Sequence, residues 1–429
     1  MNLKTKNFAI IIGLLFAYNA ISDVKSRKIV YGVDNRIETY QAKDLHQSLA
    51  HSTAGLIDNN KLIKVKSHYI LPPDSIDNDM GLCKDERFST QPSSVICSGF
   101  LVAPDLLVTA GHCIINQEQC DSRSWIFDYK VDENSKRTNM MIPESSVYKC
   151  AKVLDAKLES LENDNRDYSL IRLDRVVKGR SSLIFRKASK IKTKDKVMVI
   201  GHPSGLPQKI TLDASVFSND KAGYFETNLD TFGGNSGSAV FNEKTLEVEG
   251  ILVRGAMDYV KDSSAGCIRV NQVGEDITNR SDLGESVSRI TDIPTLKNRD
   301  ALFNAVKKNA IVEVVSLLKT MSSEIYYDDM NTVLHTAIEN NSTAVIEYLV
   351  QKKELLNRQN ANGETPLHLA AYLNNTFAIK ALVKAGADPL IKDLFGVFPS
   401  QRTNYFSFST RNILRAIEKQ ELVKRKSKF

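Results

Sequence analysis

Short apolar runs separated by turn residues fill the first two thirds of the chain. Such runs predict short β-strands, and many of them with little helix between favour a barrel or a sandwich. Residues 23–60 are more polar and weakly patterned, and there we predict an N-terminal arm with one or two strands. The strands predicted after this arm are Val95–Ala103, Leu106–Ala110, Ser124–Tyr129, Tyr168–Leu173, Lys196–Ile200, Gly223–Asn228, Ala239–Asn242 and Val248–Arg254.

After Pro294 the apolar positions take a helical period, and a repeat begins. The segment 332–335 (TVLH) recurs 33 residues later as 365–368 (TPLH), which is followed by Leu-Ala-Ala. The spacing of 33 residues and the TPLH segment resemble the ankyrin repeat, whose signature is Thr-Pro-Leu-His-x-Ala. The resemblance implies an all-α solenoid of about four repeats over residues 300–420, with degenerate ends, after a linker at 291–299. It also implies a protein partner, and structural roles for His335 and His368.

Length and composition suggest a second domain and exclude some classes of function. At 429 residues the chain exceeds what one hydrophobic core usually supports, so two domains are expected. The net charge of +6 is modest and the basic residues are spread, which argues against a nucleic-acid partner. No cysteines have the paired short spacing of a zinc site, and we predict neither a metal nor a cofactor.

The N-terminus has the features of a signal peptide. Lys4 and Lys6 precede the apolar run Phe8–Ala17, and residues 20–22 (AIS) offer a small-x-small cleavage site. We therefore predict a signal peptide over residues 1–22 and a secreted or periplasmic protein with no membrane span after cleavage. The alternative is an uncleaved anchor, although the run is short for a membrane crossing.

The cysteines divide the chain into two chemically different parts. All six precede residue 270, so the helical part has none. An even number in an exported segment predicts three disulfides, and a different kind of domain after them. The six are Cys83, Cys97, Cys113, Cys120, Cys150 and Cys267.

Catalytic chemistry is indicated most strongly by Gly-Gly-Asn-Ser-Gly at residues 233–237. A serine between glycines suits a nucleophile in a cleft, because the missing side chains let a substrate carbonyl reach the backbone. The N–H groups of Gly234 and Ser236 can then form an oxyanion hole. Upstream, His112 closes an apolar strand as a general base would, and Asp167 stands at the head of an alternating strand.

The order His112, Asp167, Ser236 is that of chymotrypsin. The phrase Thr-Ala-Gly-His-Cys, with Cys97 sixteen residues before Cys113, resembles the trypsin family. The serine motif resembles the bacterial branch of that family, including the V8-like glutamyl endopeptidases. This resemblance implies a double β-barrel over residues 61–290, with the three residues acting as a triad between the barrels.

The same resemblance implies a disulfide between Cys97 and Cys113, because these two cysteines bridge beside the histidine in that family. The other four cysteines allow three pairings. The preferred one joins Cys120 to Cys150 and Cys83 to Cys267.

The substrate pocket can be placed by the same resemblance. The residue six before the serine, at the base of the family's specificity pocket, is Asp230, and a carboxylate there would favour Arg or Lys at the cleaved position. The V8-like branch instead uses a threonine, matched by Thr231, and a histidine where this chain has Leu252. Gly255 belongs to the same predicted pocket. Basic specificity is preferred, glutamyl specificity is the alternative, and Asp230 has the alternative role of holding its own loop.

One departure concerns activation. Animal trypsins have an aspartate before the serine that captures the new N-terminus, and here that residue is Asn235. Processing near Lys28-Ile29 would therefore have to act differently, or not matter. The sequence as a whole predicts an exported serine endopeptidase whose ankyrin array binds protein. The alternatives are an inactive protease fold that only binds, and an array that covers the active site.

Overall fold

The computed structural model describes residues 30–76, 81–159, 166–255, 257–273, 284–403 and 408–427. The predicted signal peptide and the Lys28-Ile29 site lie outside these residues. Two β-barrels and an array of helices make up the described part. Within it, no helix is both long and apolar enough to cross a membrane.

Six antiparallel strands close into the first barrel, in the order β1-β2-β3-β6-β5-β4 around the ring. The strands are β1 (Thr53–Asp58), β2 (Cys97–Ala103), β3 (Leu106–Thr109), β4 (Arg123–Ile126), β5 (Val147–Leu158) and β6 (Asp167–Leu173). The barrel begins earlier than predicted, because β1 lies inside the segment expected to be an N-terminal arm. Five of its six residues are buried, so it lacks the alternation by which strands are recognised in a sequence.

The second barrel repeats this topology, in the order β7-β8-β9-β12-β11-β10. Its strands are β7 (Lys196–Gly201), β8 (Lys209–Ser218), β9 (Tyr224–Thr227), β10 (Ala239–Asn242), β11 (Val248–Arg254) and β12 (Glu285–Arg289). The double β-barrel predicted from the sequence is confirmed.

Shorter elements decorate the barrels. Val30–Tyr31 pairs in parallel with Gln272–Val273, and Ile37–Glu38 adds to the edge of β8. Further strands and α-helices of this part are Ile63–Val65, His68–Ile70, Met141–Pro143, Tyr259–Asp262, Cys267–Val270, Asp44–Ala50 and Gln117–Asp121.

Three disulfides stabilise this region, and they use all six cysteines. One joins β2 to the residue after His112, and another ties the helix Gln117–Asp121 to β5. The third links residues 184 apart in the sequence. The pairs are Cys97–Cys113, Cys120–Cys150 and Cys83–Cys267, which are the pairs preferred from the sequence.

An array of helices follows the second barrel, as the repeat pattern predicts. The segment expected to be a linker at 291–299 is folded, since Ile293 and Leu296 are buried and a short helix, Pro294–Lys297, lies within it. The helices of the array are Arg299–Lys307, Ile311–Leu317, Val333–Glu339, Thr343–Leu349, Lys353–Leu356, Pro366–Tyr372, Thr376–Ala385 and Phe408–Lys426.

The array docks against the first barrel, and one continuous hydrophobic cluster includes residues of both. At the far end of β6, the Arg172 guanidinium donates to the side chain and carbonyl of Glu324. Asp105, before β3, accepts hydrogen bonds from Tyr326 and Arg358 of the array. Buried charges are tolerated only when they are paired, so these contacts hold the array in one position on the barrel.

Histidine side chains connect successive repeats. His335 Nδ1 lies 3.3 Å from the backbone N–H of Thr332, which donates to it, and His335 Nε2–H donates to the carbonyl of Glu364 at 3.0 Å. His368 makes the equivalent contacts one repeat later. This geometry requires a neutral imidazole with an unprotonated Nδ1. Burial lowers the pKa of His335 to about 4, which favours that same form.

We expect acid to weaken the array through His335. Its pKa of about 4 in the folded chain lies below the ordinary value, so its contribution is complete above about pH 6.5 and is lost as the pH falls towards 4. His335→Asn should lower stability at pH 7 by about 1 kcal/mol through the lost contact between repeats. The variant has no imidazole to protonate at this position. Its free energy of unfolding should therefore fall by roughly 3 kcal/mol less than that of the wild type between pH 6.5 and 4. Urea unfolding followed by far-UV circular dichroism measures both, and equal slopes for the two proteins would contradict this.

Candidate active site

A histidine and an aspartate from two strands of the first barrel form a close pair. His112 follows β3, and Asp167 is the first residue of β6, which pairs with β3. His112 Nδ1 lies 2.7 Å from Asp167 Oδ2, and the His112 backbone N–H donates to Asp167 Oδ1 at 3.0 Å. The carboxylate therefore holds both the ring and the backbone of the histidine.

The surroundings leave this pair little freedom. Asp167 is fully buried, and its backbone N–H donates to Ser288 Oγ of the second barrel at 3.1 Å. A Cβ atom at Gly111 would lie 2.2 Å from the carbonyl oxygen of Lys157, so only glycine fits before the histidine. On the other side, Cys113 is tied to β2 by its disulfide. The backbone and the disulfide thus fix the geometry of the His112–Asp167 pair.

The electrostatics of the pair select one form of the imidazole. With Nδ1–H donating to the carboxylate, the neutral ring keeps Nε2 free of a proton and able to accept one. The His112 side chain is 36% exposed, whereas Asp167 is buried, so the ring faces the cleft while the acid stays behind it. This arrangement is what a general base with an orienting carboxylate requires.

Ser236 lies in the loop between β9 and β10 of the second barrel. The loop is fixed from both sides: Gly237 N–H donates to the Leu252 carbonyl at 2.7 Å, and Ser238 N–H donates to that of Asn235 at 2.9 Å. Ser236 itself is only 7% exposed. Hydrogen bonds to strand β11 and within the loop therefore hold the serine.

Contacts with the first barrel place the serine loop against the residues on either side of His112. Ser98 N–H, on β2, donates to the Ser236 carbonyl at 2.8 Å, and Cys113 Sγ lies 3.6 Å from the same oxygen. A Cβ atom on Gly237 would lie 2.3 Å from Thr109 Oγ1 and 3.1 Å from the Ala110 nitrogen. The residue after Ser236 therefore packs against the segment that ends in His112. The structure pairs His112 with Asp167 and places the loop of Ser236 against the neighbouring segment of the first barrel.

Gly234, the second predicted oxyanion donor, has a left-handed backbone with φ of 88°. A side chain there would place Cβ 2.5 Å from the His202 carbonyl oxygen and 2.6 Å from the Gly205 nitrogen. Glycine is thus required by both conformation and space. Its carbonyl accepts from Ser98 Oγ of the first barrel at 2.9 Å.

Asp230 has a different environment from the open pocket base that the sequence favoured. Its Oδ1 accepts the backbone N–H of Tyr31 at 2.7 Å, and its Oδ2 accepts that of Asn35 at 3.1 Å. The side chain is buried, and burial raises the pKa of its carboxyl to about 6. Both oxygens hold the N-terminal segment, a role that differs from the pocket base and from the alternative of holding its own loop.

Thr231 and Gly255, the other predicted pocket residues, meet at a residue that the sequence did not single out. Thr231 Oγ1 hydrogen-bonds Glu285 Oε2, and a Cβ atom built on Gly255 would lie 2.0 Å from Glu285 Oε1. Glu285 is fully buried at the start of β12. The only sequence signal for it is an acid at the head of an alternating strand, the same signal that marked Asp167.

His202 and the cysteines beside His112 complete the surroundings. His202 is buried behind Gly234, its Nδ1–H donates to the Leu206 carbonyl at 3.0 Å, and burial lowers its pKa to about 4. It is therefore a neutral structural residue.

Potential ligand atoms of Cys97, His112 and Cys113 lie within 4.8 Å of one another. Their sulfurs are bonded in a disulfide, so they are not the thiolates that a metal needs.

Comparisons with known proteins divide the chain in the same way. The family profile described as Trypsin-like peptidase domain matches residues 97–251, and the one described as Ankyrin repeats (3 copies) matches residues 291–393. Alpha-latrotoxin-Lg1a of Latrodectus geometricus is 37% identical over 98 residues, which are 22% of this chain and 7% of the toxin. The chain thus spans less than a tenth of the length of this curated relative.

Two solved structures are also similar to this chain. A Glu endopeptidase in complex with MPD is 16% identical, with a TM-score of 0.36, and the match covers 68% of this chain and 99% of the other. The VesB protease of Vibrio cholerae is 11% identical, with a TM-score of 0.37, and covers 63% of this chain and 67% of its own.

The matched peptidase segment contains most of both barrels, and it includes His112, Asp167 and Ser236. The matched repeat segment contains the helices joined by the buried histidines. The chain therefore contains a trypsin-like peptidase domain followed by ankyrin repeats.

Proposed function

We propose that this chain is an exported endopeptidase that cleaves after Arg or Lys through a triad of His112, Asp167 and Ser236. One observation carries the triad: Asp167 binds both the ring and the backbone of His112, next to the loop that holds Ser236. A buried carboxylate, an imidazole at the cleft and a serine between glycines are the three parts of the mechanism.

In this mechanism Ser236 Oγ attacks the scissile carbonyl while His112 Nε2 takes its proton. The imidazolium that forms is stabilised by Asp167, and it then gives the proton to the leaving amine. The carbonyl oxygen becomes an oxyanion, and the N–H groups of Gly234 and Ser236 stabilise it. Water repeats the sequence on the acyl-enzyme and releases the product.

The specificity part of the proposal is supported by one buried acid beside a predicted pocket residue. Glu285 is fully buried and hydrogen-bonds Thr231, and negative charge at the pocket would favour a cationic substrate side chain. The glutamyl alternative needs a cationic or neutral hydrogen-bond donor in the pocket. The position where the V8-like branch has such a histidine is Leu252, which is buried in the core of the second barrel.

A panel of peptides that differ only at the cleaved position tests this function. We expect the full chain to cleave after Arg and Lys at least 10-fold faster than after Glu or Phe, measured as kcat/KM, because one charged contact is worth more than a factor of ten. A preference for Glu would replace the basic specificity by the glutamyl alternative. If the chain cleaves none of the peptides, the result would favour the alternative of an inactive protease fold that only binds.

The ankyrin array is proposed to bind a protein partner or substrate, as stacked repeats do. It contacts the first barrel at Arg172 and Asp105, at the opposite end of β6 from Asp167. Arg172 and Asp167 are five positions apart on an extended strand, which is about 17 Å. This placement supports an array that binds beside the active site over one that covers it.

Export is proposed on two grounds. The N-terminal sequence has the form of a signal peptide, and the described protease part carries three disulfides, which persist in oxidising compartments. Fractionation of the producing cells, with detection of a chain that starts near Asp23, tests it. A chain that keeps residues 1–22 and stays with the reducing cytosol would contradict it.

A further inference from the structure

The peptide group between Gly233 and Gly234 contains one of the two proposed oxyanion donors, and a contact at its carbonyl fixes its orientation. The backbone N–H of Ser204 donates to the Gly233 carbonyl. The peptide bond is trans, so the Gly233 carbonyl and the Gly234 N–H point in opposite directions. The hydrogen bond from Ser204 therefore turns the Gly234 N–H away from the loop that carries Ser204.

Ser204 is itself held in an uncommon conformation. Its backbone is left-handed, with φ of 53° and ψ of 27°, which few residues with a side chain adopt. Its carbonyl accepts from Ser93 Oγ at 2.7 Å, and its Oγ lies at hydrogen-bonding distance, 2.6 Å, from the Tyr259 hydroxyl. Contacts on both sides thus hold the residue whose N–H binds the Gly233 carbonyl.

A second contact fixes the other peptide group of Gly233. The Gly233 N–H donates to Asp258 Oδ2 at 2.8 Å. Asp258 directly precedes Tyr259, whose ring packs against that of Phe232 with 5.5 Å between the centroids. Two consecutive residues therefore hold both peptide groups of Gly233, Asp258 directly and Tyr259 through Ser204.

The hairpin that begins at these two residues is anchored at its base. It pairs Tyr259–Asp262 with Cys267–Val270, and a disulfide joins its second strand to Cys83. Asn271, directly after the hairpin, donates its backbone N–H to the Asp258 carbonyl at 2.8 Å. These contacts fix the backbone next to the two side chains that reach the serine loop.

We infer that Asp258 and Tyr259 are positioning residues of the oxyanion hole, which keep the Gly234 N–H directed at the substrate oxygen. The inference rests on the proposed function, because it needs the oxyanion that forms when Ser236 attacks. If the peptide group turned over, the Gly233 carbonyl would take the place of the N–H and would repel the developing negative charge. Donors that are already oriented stabilise this charge without a reorganisation cost during the reaction.

The test measures kcat, KM and the inhibition constant of a peptide trifluoromethyl ketone on the full chain. Ser236 Oγ adds to the carbonyl carbon of the ketone, its proton passes to His112, and the carbonyl oxygen becomes an oxyanion, so the affinity for the ketone reports on the oxyanion hole. We expect Asp258→Ala to lower kcat about 100-fold and to weaken ketone binding by a similar factor, while KM changes by less than about threefold. Asp258→Asn keeps an oxygen that can accept from Gly233, and it should restore kcat to within a few-fold of the wild type.

Tyr259→Phe is a milder variant, because it removes the hydroxyl and keeps the ring. We expect it to lower kcat and the affinity for the ketone about 10-fold each. Tyr326→Phe is the matched control, since it removes a hydroxyl that hydrogen-bonds Asp105 at the junction with the array. This control should keep the wild-type kcat. The pH at which kcat/KM rises reports on the general base His112, and it should be the same in all variants.

The possible outcomes separate the inference from the proposed function. Loss of kcat and of ketone affinity together, with KM and the pH dependence retained, supports the inference. A kcat close to that of the wild type in Tyr259→Phe overturns it, whether or not Asp258→Ala folds. An equal loss in Tyr326→Phe also overturns it, because the loss would then report on the fold in general. If the wild type neither cleaves peptides nor binds the ketone, the proposed function itself is overturned.

Discussion

Ser236→Ala is expected to abolish peptide hydrolysis, with a fall in turnover of about a million-fold. Without Oγ no acyl-enzyme forms, and the remaining rate comes only from the oxyanion donors and from substrate binding. The substitution removes one oxygen from a loop that is held by backbone hydrogen bonds of Gly237 and Ser238, so the fold should not change. The measurement is kcat on the best peptide of the panel, with the thermal midpoint of each protein.

Ser238→Ala is the matched control for this loss. Ser238 lies two residues further along the same loop, is fully buried, and has its Oγ 3.4 Å from Asn235 Oδ1. Its removal should leave kcat within a few-fold of wild type. Equal turnover in Ser236→Ala and the wild type would show that another residue is the nucleophile.

Asp167→Asn is expected to lower kcat about 10,000-fold while the fold remains intact. The amide can keep one of the two contacts with His112, but its NH2 group then faces the ring and favours the imidazole form that has its proton on Nε2. That form cannot accept the serine proton. KM should change much less than kcat, because Asp167 is buried and does not reach the substrate.

Asp155→Asn is the corresponding control, since Asp155 is another carboxylate of the first barrel. It accepts from the Tyr168 hydroxyl at 3.2 Å and from Thr295 Oγ1 at 2.8 Å. We expect some loss of stability and a kcat close to that of the wild type. A similar fall in both aspartate variants would mean that the loss reports on the barrel as a whole.

Much of the fold could be predicted from the sequence because short apolar runs between turn residues indicate many of its strands. The structure contains a strand at each of the eight predicted positions, with ends that differ by a few residues. Two of the barrel strands that were not predicted show why: β1 is buried on both faces, and β5 has four lysine or aspartate residues among its twelve. Burial by neighbouring strands, and not local preference, decides these elements.

The candidate site, too, could be predicted from local sequence patterns only in part. Each of the three proposed triad residues, His112, Asp167 and Ser236, lies in a motif that can be recognised by itself. Their order in the sequence, which is that of chymotrypsin, then predicts that they act together. The role of Asp230 depends on Tyr31, 199 residues away, and that of Glu285 on Thr231, 54 residues away. Contacts of this kind are fixed by the closure of the second barrel, so a sequence pattern cannot reveal them.

The central claim is that His112 and Asp167 activate Ser236, and active-site labelling tests it most directly. The full chain is incubated with a fluorophosphonate, digested, and examined by mass spectrometry beside Asp167→Asn and Ser236→Ala. We predict one adduct on Ser236 in the wild type, a much slower adduct at the same residue in Asp167→Asn, and none in Ser236→Ala. An unlabelled wild type, or an adduct on another serine, would contradict the account.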